Sequence, residues 1–339
     1  MSDIITLDGG FLAWEMTGIP RYAKMIIIEL DKIVKNNSVE IIIPNGYENR
    51  IDLINIKKII LPNKSHWLIR TVPKYIRKNR RKYINLTNGV SFCKKSCVCI
   101  HDIRPLIKIE GEYFDSFKFR IYTRIIFLIN SIFAKKIVTV SDFSKKVIVD
   151  NTNVREERIS VISPGWQHIQ DMDIDYSIIN KYKIPNDFIL LIGSKSPHKN
   201  IEWAIKNAIH NKDMTYVIVG GGNLDYSILP SNVLDLPYLS DEMIKGLYKK
   251  CTALLLPSFF EGFGLTPLEA MSCGAKAIIS NRASLPEIYC NSAYYIDPKN
   301  PNININELLS NKVSPSNEVL DKYSWEKSAA DWKKIIDTL

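Results

Sequence analysis

Two glutamates separated by seven residues lie in a stretch whose composition suits sugar binding. The stretch, Pro257-Ser-Phe-Phe-Glu-Gly-Phe-Gly-Leu-Thr-Pro-Leu-Glu-Ala270, directly follows an apolar run that is typical of a buried strand. Glu261 falls in the turn after that strand, and Glu269 falls in the helix that follows the turn. Because a carboxylate accepts hydrogen bonds from hydroxyl groups, both side chains are candidates for contacts with sugar hydroxyls.

The residues between the two glutamates have the properties of a phosphate site. Gly262 and Gly264 flank Phe263 and allow the backbone to approach a ligand closely. The backbone N–H groups of Leu265 and Thr266 lie near the predicted helix start, where unpaired N–H groups and the helix dipole favour an anion. The stretch therefore predicts a site for a diphosphate that carries a sugar on either side.

A purely structural role for Glu269 is also open. Thr266-Pro-Leu-Glu269 has the residues of a capping box with a proline at the first helical position, so Glu269 would satisfy N–H groups of its own helix. Glu261 lies on a turn with no helix to cap, which favours a functional role. Ser284-Leu-Pro-Glu287 is a second capping box, and we assign Glu287 only that role.

Basic and imidazole side chains follow other predicted strands. Lys195 and Lys199 come after one apolar run, and His101 and Asp102 come after another. Sheets of parallel strands bind ligands beyond the carboxyl ends of the strands, so these positions favour functional roles. The alternatives are a solvated surface lysine and a histidine that only hydrogen-bonds a loop.

Short β-branched runs alternate with helical patterns along the chain, which predicts parallel sheets covered by crossover helices. The predicted strands are Ile4–Leu7, Val39–Ile43, Lys57–Leu61, Tyr83–Leu86, Cys97–Ile100, Ile137–Val140, Ile159–Ile162, Phe188–Ile192, Tyr216–Val219, Val233–Leu236, Ala253–Leu256, Ala277–Ser280 and Tyr294–Ile296. The predicted helices begin near Gly18 or cover Phe117–Phe133, Ile201–Ile209, Asp241–Lys250, Pro267–Ser272 and Ser324–Thr338. This order predicts an α/β fold with two Rossmann-like, doubly wound parallel-sheet domains that face each other across a cleft.

The break between the two domains is predicted at Pro164 and Gly165. Proline and glycine interrupt regular structure, and the polar residues that follow, as far as Asp187, extend the predicted hinge. A chain of 339 residues is also long for a single hydrophobic core. We therefore predict one domain over residues 1–165, a second over 166–320 and a terminal helix over 321–339.

Charge is distributed unevenly between the two halves of the chain. Residues 1–164 contain 28 Lys and Arg against 16 Asp and Glu, whereas residues 165–339 contain 17 against 20. Within the first half, Lys57–Lys82 contains ten basic residues and no acidic one. Such a stretch can rest on anionic lipid headgroups, bind nucleic acid or form a solvated face.

The sequence has no apolar run long enough to span a bilayer and no basic segment typical of a secretory signal. We therefore expect a cytoplasmic protein with six reduced cysteines. Cys93, Cys97 and Cys99 lie close together, but the apolar strand pattern around them argues against a metal site. Asp171-Met-Asp-Ile-Asp175 falls in the predicted hinge, so we expect no bound metal.

These motifs together resemble glycosyltransferase family four. Glu261 and Glu269, preceded by Pro-Ser, are similar to its Glu-x7-Glu signature. The other segments that resemble the family are Met16-Thr-Gly-Ile-Pro-Arg-Tyr22, Val98-Cys-Ile-His-Asp-Ile-Arg-Pro-Leu106, Ile137-Val-Thr-Val-Ser-Asp-Phe-Ser144, Leu191-Ile-Gly-Ser-Lys-Ser-Pro-His-Lys-Asn200 and Tyr323-Ser-Trp-Glu-Lys-Ser-Ala-Ala330. The resemblance covers nearly the whole chain and implies the two-domain fold called GT-B, as in bacterial enzymes of polysaccharide and lipopolysaccharide synthesis.

The resemblance also implies a role for each candidate residue. Domain 1–165 would lie on the acceptor side, domain 166–320 would bind a nucleotide-sugar, and the terminal helix would cross back to the first domain. The implied catalytic residues are Glu261, His101 and Lys199. The implied donor-binding residues are Gly18, Lys195, Lys199, Leu239, Gly262, Phe263, Gly264, Leu265, Thr266 and Glu269, and the implied acceptor contacts are Asp102 and Arg104.

The implied reaction is a retaining, metal-independent transfer of a hexosyl group, such as mannosyl, rhamnosyl or glucosyl. The donor would be a UDP-, GDP- or dTDP-linked sugar, the acceptor a glycan or lipid-linked glycan, and no cofactor would be needed. Lys199 would stabilise the leaving diphosphate, while Glu261 and His101 would fix the transferred sugar. Since similar bacterial enzymes dock on the inner membrane face, the resemblance assigns Lys57–Lys82 to peripheral contact with anionic lipid.

Two other classes of protein are alternatives. A sugar-nucleotide epimerase of the same architecture would convert its substrate without any acceptor. A basic nucleic-acid-binding protein would use Lys57–Lys82 and would show steep salt dependence. Neither class explains Glu261, Glu269 and Lys199 together, so we expect no nucleic-acid partner.

Overall fold

The computed structural model of the protein describes residues 4–35, 38–90, 93, 95–109, 115–193, 196–220 and 229–339. The chain divides into two compact units. Unit 1 comprises Met1–Gly165 together with Trp325–Leu339, and unit 2 comprises Trp166–Ser324. Among the helices of these described ranges, none is both long and apolar enough to cross a bilayer.

Seven parallel strands form the sheet of unit 1, in the order β3-β2-β1-β4-β5-β6-β7. They are β1 (Ile5–Asp8), β2 (Val39–Pro44), β3 (Lys57–Leu61), β4 (Lys82–Asn85), β5 (Ser96–Cys99), β6 (Lys136–Thr139) and β7 (Ile159–Val161). Ile5 of β1 pairs with Val39 on one side and with Lys82 on the other. The strand order therefore reverses between β1 and β4, which is where such sheets bind ligands.

Six parallel strands form the sheet of unit 2, in the order β10-β9-β8-β11-β12-β13. They are β8 (Phe188–Ile192), β9 (Thr215–Val219), β10 (Val233–Leu236), β11 (Ala253–Leu256), β12 (Lys276–Ser280) and β13 (Tyr294–Ile296). Phe188 and Leu190 pack into one apolar layer, and Ile189 and Leu191 pack into the other. Both faces of the sheet are thus buried, and the order reverses between β8 and β11.

Helices cover the sheets, as crossover connections between parallel strands require. In the described residues they are α1 (Gly18–Ile33), α2 (Val72–Asn79), α3 (Phe117–Phe133), α4 (Asp142–Asn151), α5 (Ser177–Tyr182), α6 (Ile201–His210), α7 (Asp241–Lys250), α8 (Leu265–Ser272), α9 (Leu285–Tyr289), α10 (Ile305–Ser310), α11 (Asn317–Leu320) and α12 (Trp325–Thr338). The last of these packs against α1 within unit 1, where Trp332 Nε1 donates to Tyr22 Oη over 2.8 Å. Tyr22 in turn donates to the carbonyl of Ile162 over 3.0 Å.

The prediction of an α/β fold with two parallel sheets is confirmed. Five strands, β3, β8, β10, β11 and β13, have the predicted bounds, and the others differ by one residue at one or both ends. Several short helices were missed. In α2, for example, Val72, Pro73 and Ile76 are the buried residues among many basic ones, which is too weak a pattern to identify a helix from sequence.

The polar residues after Gly165 are not a long hinge, which corrects the sequence interpretation. Ile169, Ile178 and Ile184 are 3%, 4% and 6% exposed and pack into the core of unit 2. The intervening polar side chains hide this pattern, because isolated isoleucines at irregular spacing match neither a helix nor a strand period. Asp171–Asp175 therefore belongs to unit 2 rather than to a linker.

Candidate functional site

Two of the predicted catalytic residues meet in unit 2. Lys199 follows β8 and Glu261 follows β11, the neighbouring strands at which the strand order reverses. Lys199 Nζ lies 2.8 Å from Oε1 and 3.1 Å from Oε2 of Glu261. The Glu261 side chain is 10% exposed and the Lys199 side chain 28%, so the carboxylate of this ion pair is largely shielded from water. It occupies the ligand-binding edge of the sheet.

Two side-chain hydroxyl groups donate hydrogen bonds to the backbone of the turn that carries Glu261. Ser284 Oγ donates to the Glu261 carbonyl over 2.9 Å, and Tyr289 Oη donates to the carbonyl of Gly264. Gly264 has a φ of 84°, and a Cβ atom added there would lie 2.5 Å from Leu285 Cδ2. Glycine is therefore required at this position for both backbone and packing reasons.

The helix after the turn begins two residues earlier than predicted, at Leu265 rather than Pro267. Its N-cap residue is Gly264, and no side chain caps it. Pro267 is tolerated in the first turn because its missing N–H group would have no helical partner there. The capping box proposed for Thr266 and Glu269 is thus not formed, and the amino end of α8 stays available for an anion.

Glu269 is held by residues far from its own helix turn. Its Oε1 lies 2.9 Å from His168 Nε2, and its Oε2 accepts from Tyr248 Oη over 2.9 Å. Glu269 is 7% exposed. Neither His168 nor Tyr248 was singled out from the sequence, and no spacing signal links them to Glu269, since both contacts depend on tertiary packing.

The assignment of Ser284 and Glu287 as a capping box is also wrong. Ser284 precedes α9 but makes no side-chain cap hydrogen bond. Its hydroxyl is used by Glu261 instead, as described above. A buried backbone carbonyl needs a donor, and Ser284 is fully buried beside one.

Two other predicted donor-binding side chains are packed inside unit 2. Phe263 is 5% exposed and meets the Tyr323 ring edge-on, with centroids 5.2 Å apart. Leu239 is 6% exposed and belongs to a core layer of the sheet. These two positions therefore offer a ligand mainly their backbone atoms. Gly262 is partly exposed, and Lys195 lies outside the described residues.

In unit 1, His101 is bonded to a loop, as one of the two sequence interpretations supposed. It is 8% exposed, and its Nε2 lies 2.8 Å from the carbonyl of Leu86. Its backbone N–H donates to Asn88 Oδ1 over 2.6 Å, and its ring lies edge-on to Tyr22. Burial lowers the pKa of His101 to about 4. The imidazole is neutral near pH 7, so Nε2–H donates to Leu86 and Nδ1 remains an acceptor.

A buried carboxylate that the sequence analysis missed lies at the switch point of unit 1. Asp8 Oδ1 accepts from the Gly10 N–H over 2.8 Å and from Trp67 Nε1 over 2.9 Å. Its Oδ2 accepts from Tyr83 Oη over 2.7 Å and from Asn85 Nδ2 over 2.9 Å. Its position after an apolar strand and before two glycines was a signal that could have identified it.

Asn85 extends this network toward the loop that holds His101. Its Oδ1 accepts from the backbone N–H groups of Thr87 and Gly89 over 2.9 and 2.8 Å. Leu86 and Asn88, which bond His101, lie in that same loop. The network therefore determines where the imidazole lies.

The remaining predicted residues of unit 1 are Gly18, Asp102 and Arg104. A Cβ atom added at Gly18, the first residue of α1, would meet nothing within 4 Å. Arg104 Nε donates to Asp115 Oδ2 over 2.8 Å, and its Nη1 lies 3.4 Å from Asp102 Oδ2. Asp102 and Arg104 line a cavity of about 420 Å³ together with Trp14, Leu68, Phe119, Tyr122 and other residues of unit 1.

Comparisons with known proteins agree with this architecture. Residues 177–326 match the family model of glycosyl transferases group 1. The O-antigen chain mannosyltransferase RfbU of Salmonella typhimurium is 28% identical over 321 residues, which cover 88% of this chain and 85% of that protein. The serotype-specific mannosyltransferase WbdA of Escherichia coli is 30% identical over 221 residues, but the match covers only 26% of that longer protein.

Solved structures share the fold over almost the whole chain. Sucrose-phosphate synthase from Thermosynechococcus elongatus has a TM-score of 0.73 at 16% identity, covering 99% of this chain and 98% of that one. WaaG, a glycosyltransferase of lipopolysaccharide biosynthesis, has a TM-score of 0.65 at 15% identity, covering 98% and 95%. The chain is therefore a glycosyltransferase with the GT-B fold, and its residues 177–326 match the family model of glycosyl transferases group 1.

Proposed function

We propose that the protein transfers a hexosyl group, with mannosyl as the first candidate, from a nucleotide-sugar to a glycan or lipid-linked glycan in cell-surface polysaccharide synthesis. The transfer proceeds with retention and without a metal ion or cofactor. The observation that carries this proposal is the ion pair of Lys199 with Glu261, a residue that lies three positions before Gly264, the N-cap of the uncapped helix α8. The mannosyltransferase relatives support the sugar, and a 26% identical Campylobacter jejuni relative, named for a diphospho-undecaprenol-linked substrate, supports a lipid-linked acceptor.

Lys199 and α8 suit the diphosphate of the donor. An ammonium group has three N–H donors, and the two oxygens of Glu261 occupy at most two of them. The third N–H and the first N–H groups of α8 then face the diphosphate. These groups are in place before the reaction, so they stabilise the charge that grows on the leaving group without reorganisation. This arrangement supports transfer without a metal ion.

The two glutamates suit the sugars on either side of that anion. Glu269 Oε1 lies 2.9 Å from His168 Nε2 and Oε2 accepts from Tyr248 Oη, so these contacts fix the position of a carboxylate, a group that accepts hydrogen bonds from ribose hydroxyls. Both oxygens of Glu261 accept from Lys199, and their remaining lone pairs accept hydrogen bonds from hydroxyl groups of the transferred sugar. The acceptor attacks on the face from which the diphosphate leaves, which gives retention.

His101 acts in this reaction through hydrogen bonding rather than charge. With a pKa of about 4 its imidazole is neutral at physiological pH. A base this weak removes a proton inefficiently near pH 7, so a general-base role is disfavoured. His101 is therefore a hydrogen-bond partner of the substrate whose position is set by the loop that bonds it.

Peripheral contact with an anionic inner membrane face is part of the same proposal. In the Lys57–Lys82 stretch, the exposed basic residues are Lys57, Lys64, Arg70, Lys74, Arg77, Lys78 and Arg80. Arg81 instead lies 3.0 Å from the carboxylate of Glu40. The exposed residues are the ones available to anionic headgroups. The comparisons favour neither an epimerase nor a nucleic-acid-binding protein.

The donor is tested by thermal shift with GDP-mannose, UDP-glucose and dTDP-rhamnose. A ligand that binds only the folded protein raises its melting temperature. We expect one of these donors to stabilise the protein, with a smaller shift for Lys199→Gln and an unchanged shift for the control Lys206→Gln on α6. Absence of a shift with every donor would contradict the proposal. With that donor, product formation in EDTA and the anomeric configuration of the product test metal independence and retention.

A further inference from the structure

The outer face of α3 is apolar, although it faces solvent. Phe117, Ile121, Ile125, Leu128 and Ile132 are between 43% and 70% exposed. Their spacing places them within about a quarter turn of the helix. A surface helix normally turns such a stripe toward the core. Here the buried residues of α3 are Phe127 and Asn130, on the other side of the helix.

Basic residues border this apolar stripe. Lys118 and Arg124 are exposed and flank it on its two edges, and α3 contains no acidic residue. An apolar stripe with basic borders is the pattern of helices that lie in the plane of a membrane surface. The charge pattern therefore matches an anionic leaflet.

The exposed basic stretch lies close to the same helix. Leu68, which belongs to Lys57–Lys82, lines the 420 Å³ cavity together with Phe119 and Tyr122 of α3. Its neighbour Ile69 is 61% exposed, and Trp14, on the same cavity, is 45% exposed. Exposed apolar side chains are thus also present on the cavity side of α3, which faces the basic stretch, all within unit 1.

We propose that α3 docks unit 1 onto an anionic lipid leaflet. Phe117, Ile121, Ile125, Leu128 and Ile132 enter the boundary between headgroups and acyl chains, while Lys118 and Arg124 contact the headgroups. This surface rests on the membrane contact of the proposed function and identifies the residues that insert. A second copy of the chain fits the surface less well, since a two-fold contact would bring the same basic residues of both copies together.

Sedimentation with lipid vesicles tests the docking surface. The full-length protein is mixed with vesicles of phosphatidylethanolamine and phosphatidylglycerol, and with vesicles of phosphatidylcholine alone. We expect binding to the anionic vesicles and at least about a tenfold loss of binding for the double variant Ile125→Gln/Leu128→Gln. The matched control is Ile209→Gln, because Ile209 is 52% exposed on α6 of unit 2, and we expect it to bind like the wild type.

Two further measurements separate this proposal from others. Lys118→Gln/Arg124→Gln is expected to weaken binding more at low salt than at high salt, since salt screens headgroup attraction. All variants should keep the wild-type melting temperature and the donor-induced shift. If the wild-type protein binds anionic vesicles but shows no donor-induced shift in melting temperature, the donor assignment is wrong and the docking proposal still holds.

The docking proposal has its own contradicting results. Wild-type protein that does not sediment with anionic vesicles would overturn it, as would a double variant that binds as tightly as the wild type. A lipid-free dimer that the double variant converts to monomer, with vesicle binding unchanged, would assign the stripe to a contact between copies instead.

Discussion

The two sheets place polar side chains at the same topological position but use them differently. In unit 1, Asp8 ends β1 and Asn85 ends β4, and the Asp8 carboxylate accepts four hydrogen bonds from its own unit. In unit 2, Lys199 and Glu261 follow the equivalent strands β8 and β11 and form an ion pair. The switch point of unit 1 thus contains a carboxylate that already accepts four hydrogen bonds, whereas that of unit 2 contains an ion pair.

This difference indicates which switch point is built to bind a ligand. A carboxylate with two donors on each oxygen has little capacity left, so Asp8 acts as a brace for the loops around it. The Lys199 ammonium has three N–H groups and bonds Glu261, whose turn leads into the uncapped helix α8, so this switch point keeps capacity for an anion. The same fold position therefore provides rigidity in unit 1 and, in the function that we propose, binding of the donor in unit 2.

The largest expected effect concerns the ion pair of unit 2. We expect Glu261→Gln to lower turnover roughly a thousandfold, because one side chain both positions Lys199 and contacts the sugar. The free energy of unfolding should change little, since the glutamine oxygen still accepts a hydrogen bond from Lys199. Steady-state rates with the identified donor measure the effect, and Glu287→Gln, an exposed glutamate on α9, is the control. Equal activity of the two variants would remove Glu261 from the site.

A second effect sets the neutral imidazole of unit 1 apart from the charged pair of unit 2. The pKa of His101 is lowered from 6.5 to about 4 by burial. At pH values above 6.5 the imidazole is neutral in both the folded and the unfolded state, so its titration does not lower the free energy of unfolding. As pH falls toward 4 the unfolded state takes up a proton that the folded state does not, which costs about 1.4 kcal/mol per pH unit.

The measurement is urea unfolding of wild type and His101→Gln across that pH range. Glutamine can still donate to the Leu86 carbonyl but does not titrate. The stability advantage of the wild type over the variant should therefore shrink as pH falls and level off below about 4. Parallel pH curves for the two proteins would show that the imidazole is not shielded.

The smallest effect compares the two buried carboxylates directly. Asp8→Asn should destabilise the protein by about 2 kcal/mol, because the new amide group points N–H donors at two existing donors. Glu269→Gln should cost less than about 1 kcal/mol, since its amide can donate to the Tyr248 hydroxyl while its oxygen accepts from His168. Denaturant unfolding of both variants gives the two values. A larger loss for Glu269→Gln would reverse the assignment of brace and binding residue.

Much of the fold was predictable because local patterns are strong where strands are buried on both faces. Apolar runs such as Phe188–Ile192 and Ala253–Leu256 have the predicted bounds. Helix starts were less predictable. The N-cap residue of α8 is Gly264 rather than Thr266, so the helix begins at Leu265. Capping boxes depend on where a hydroxyl finds its partner, and Ser284 finds the Glu261 carbonyl instead.

By itself, the sequence determined the order of strands and helices and the excess of basic residues in the first half. It also placed Glu261, Lys199 and His101 after strand ends and Glu269 on a helix. Only the tertiary structure decided the partners of these side chains, because contacts such as Lys199 with Glu261 or Glu269 with His168 join residues 62 and 101 positions apart. It also decided that the stripe on α3 faces outward. Periodicity shows that a helix has an apolar side, but what packs against that side depends on the rest of the fold.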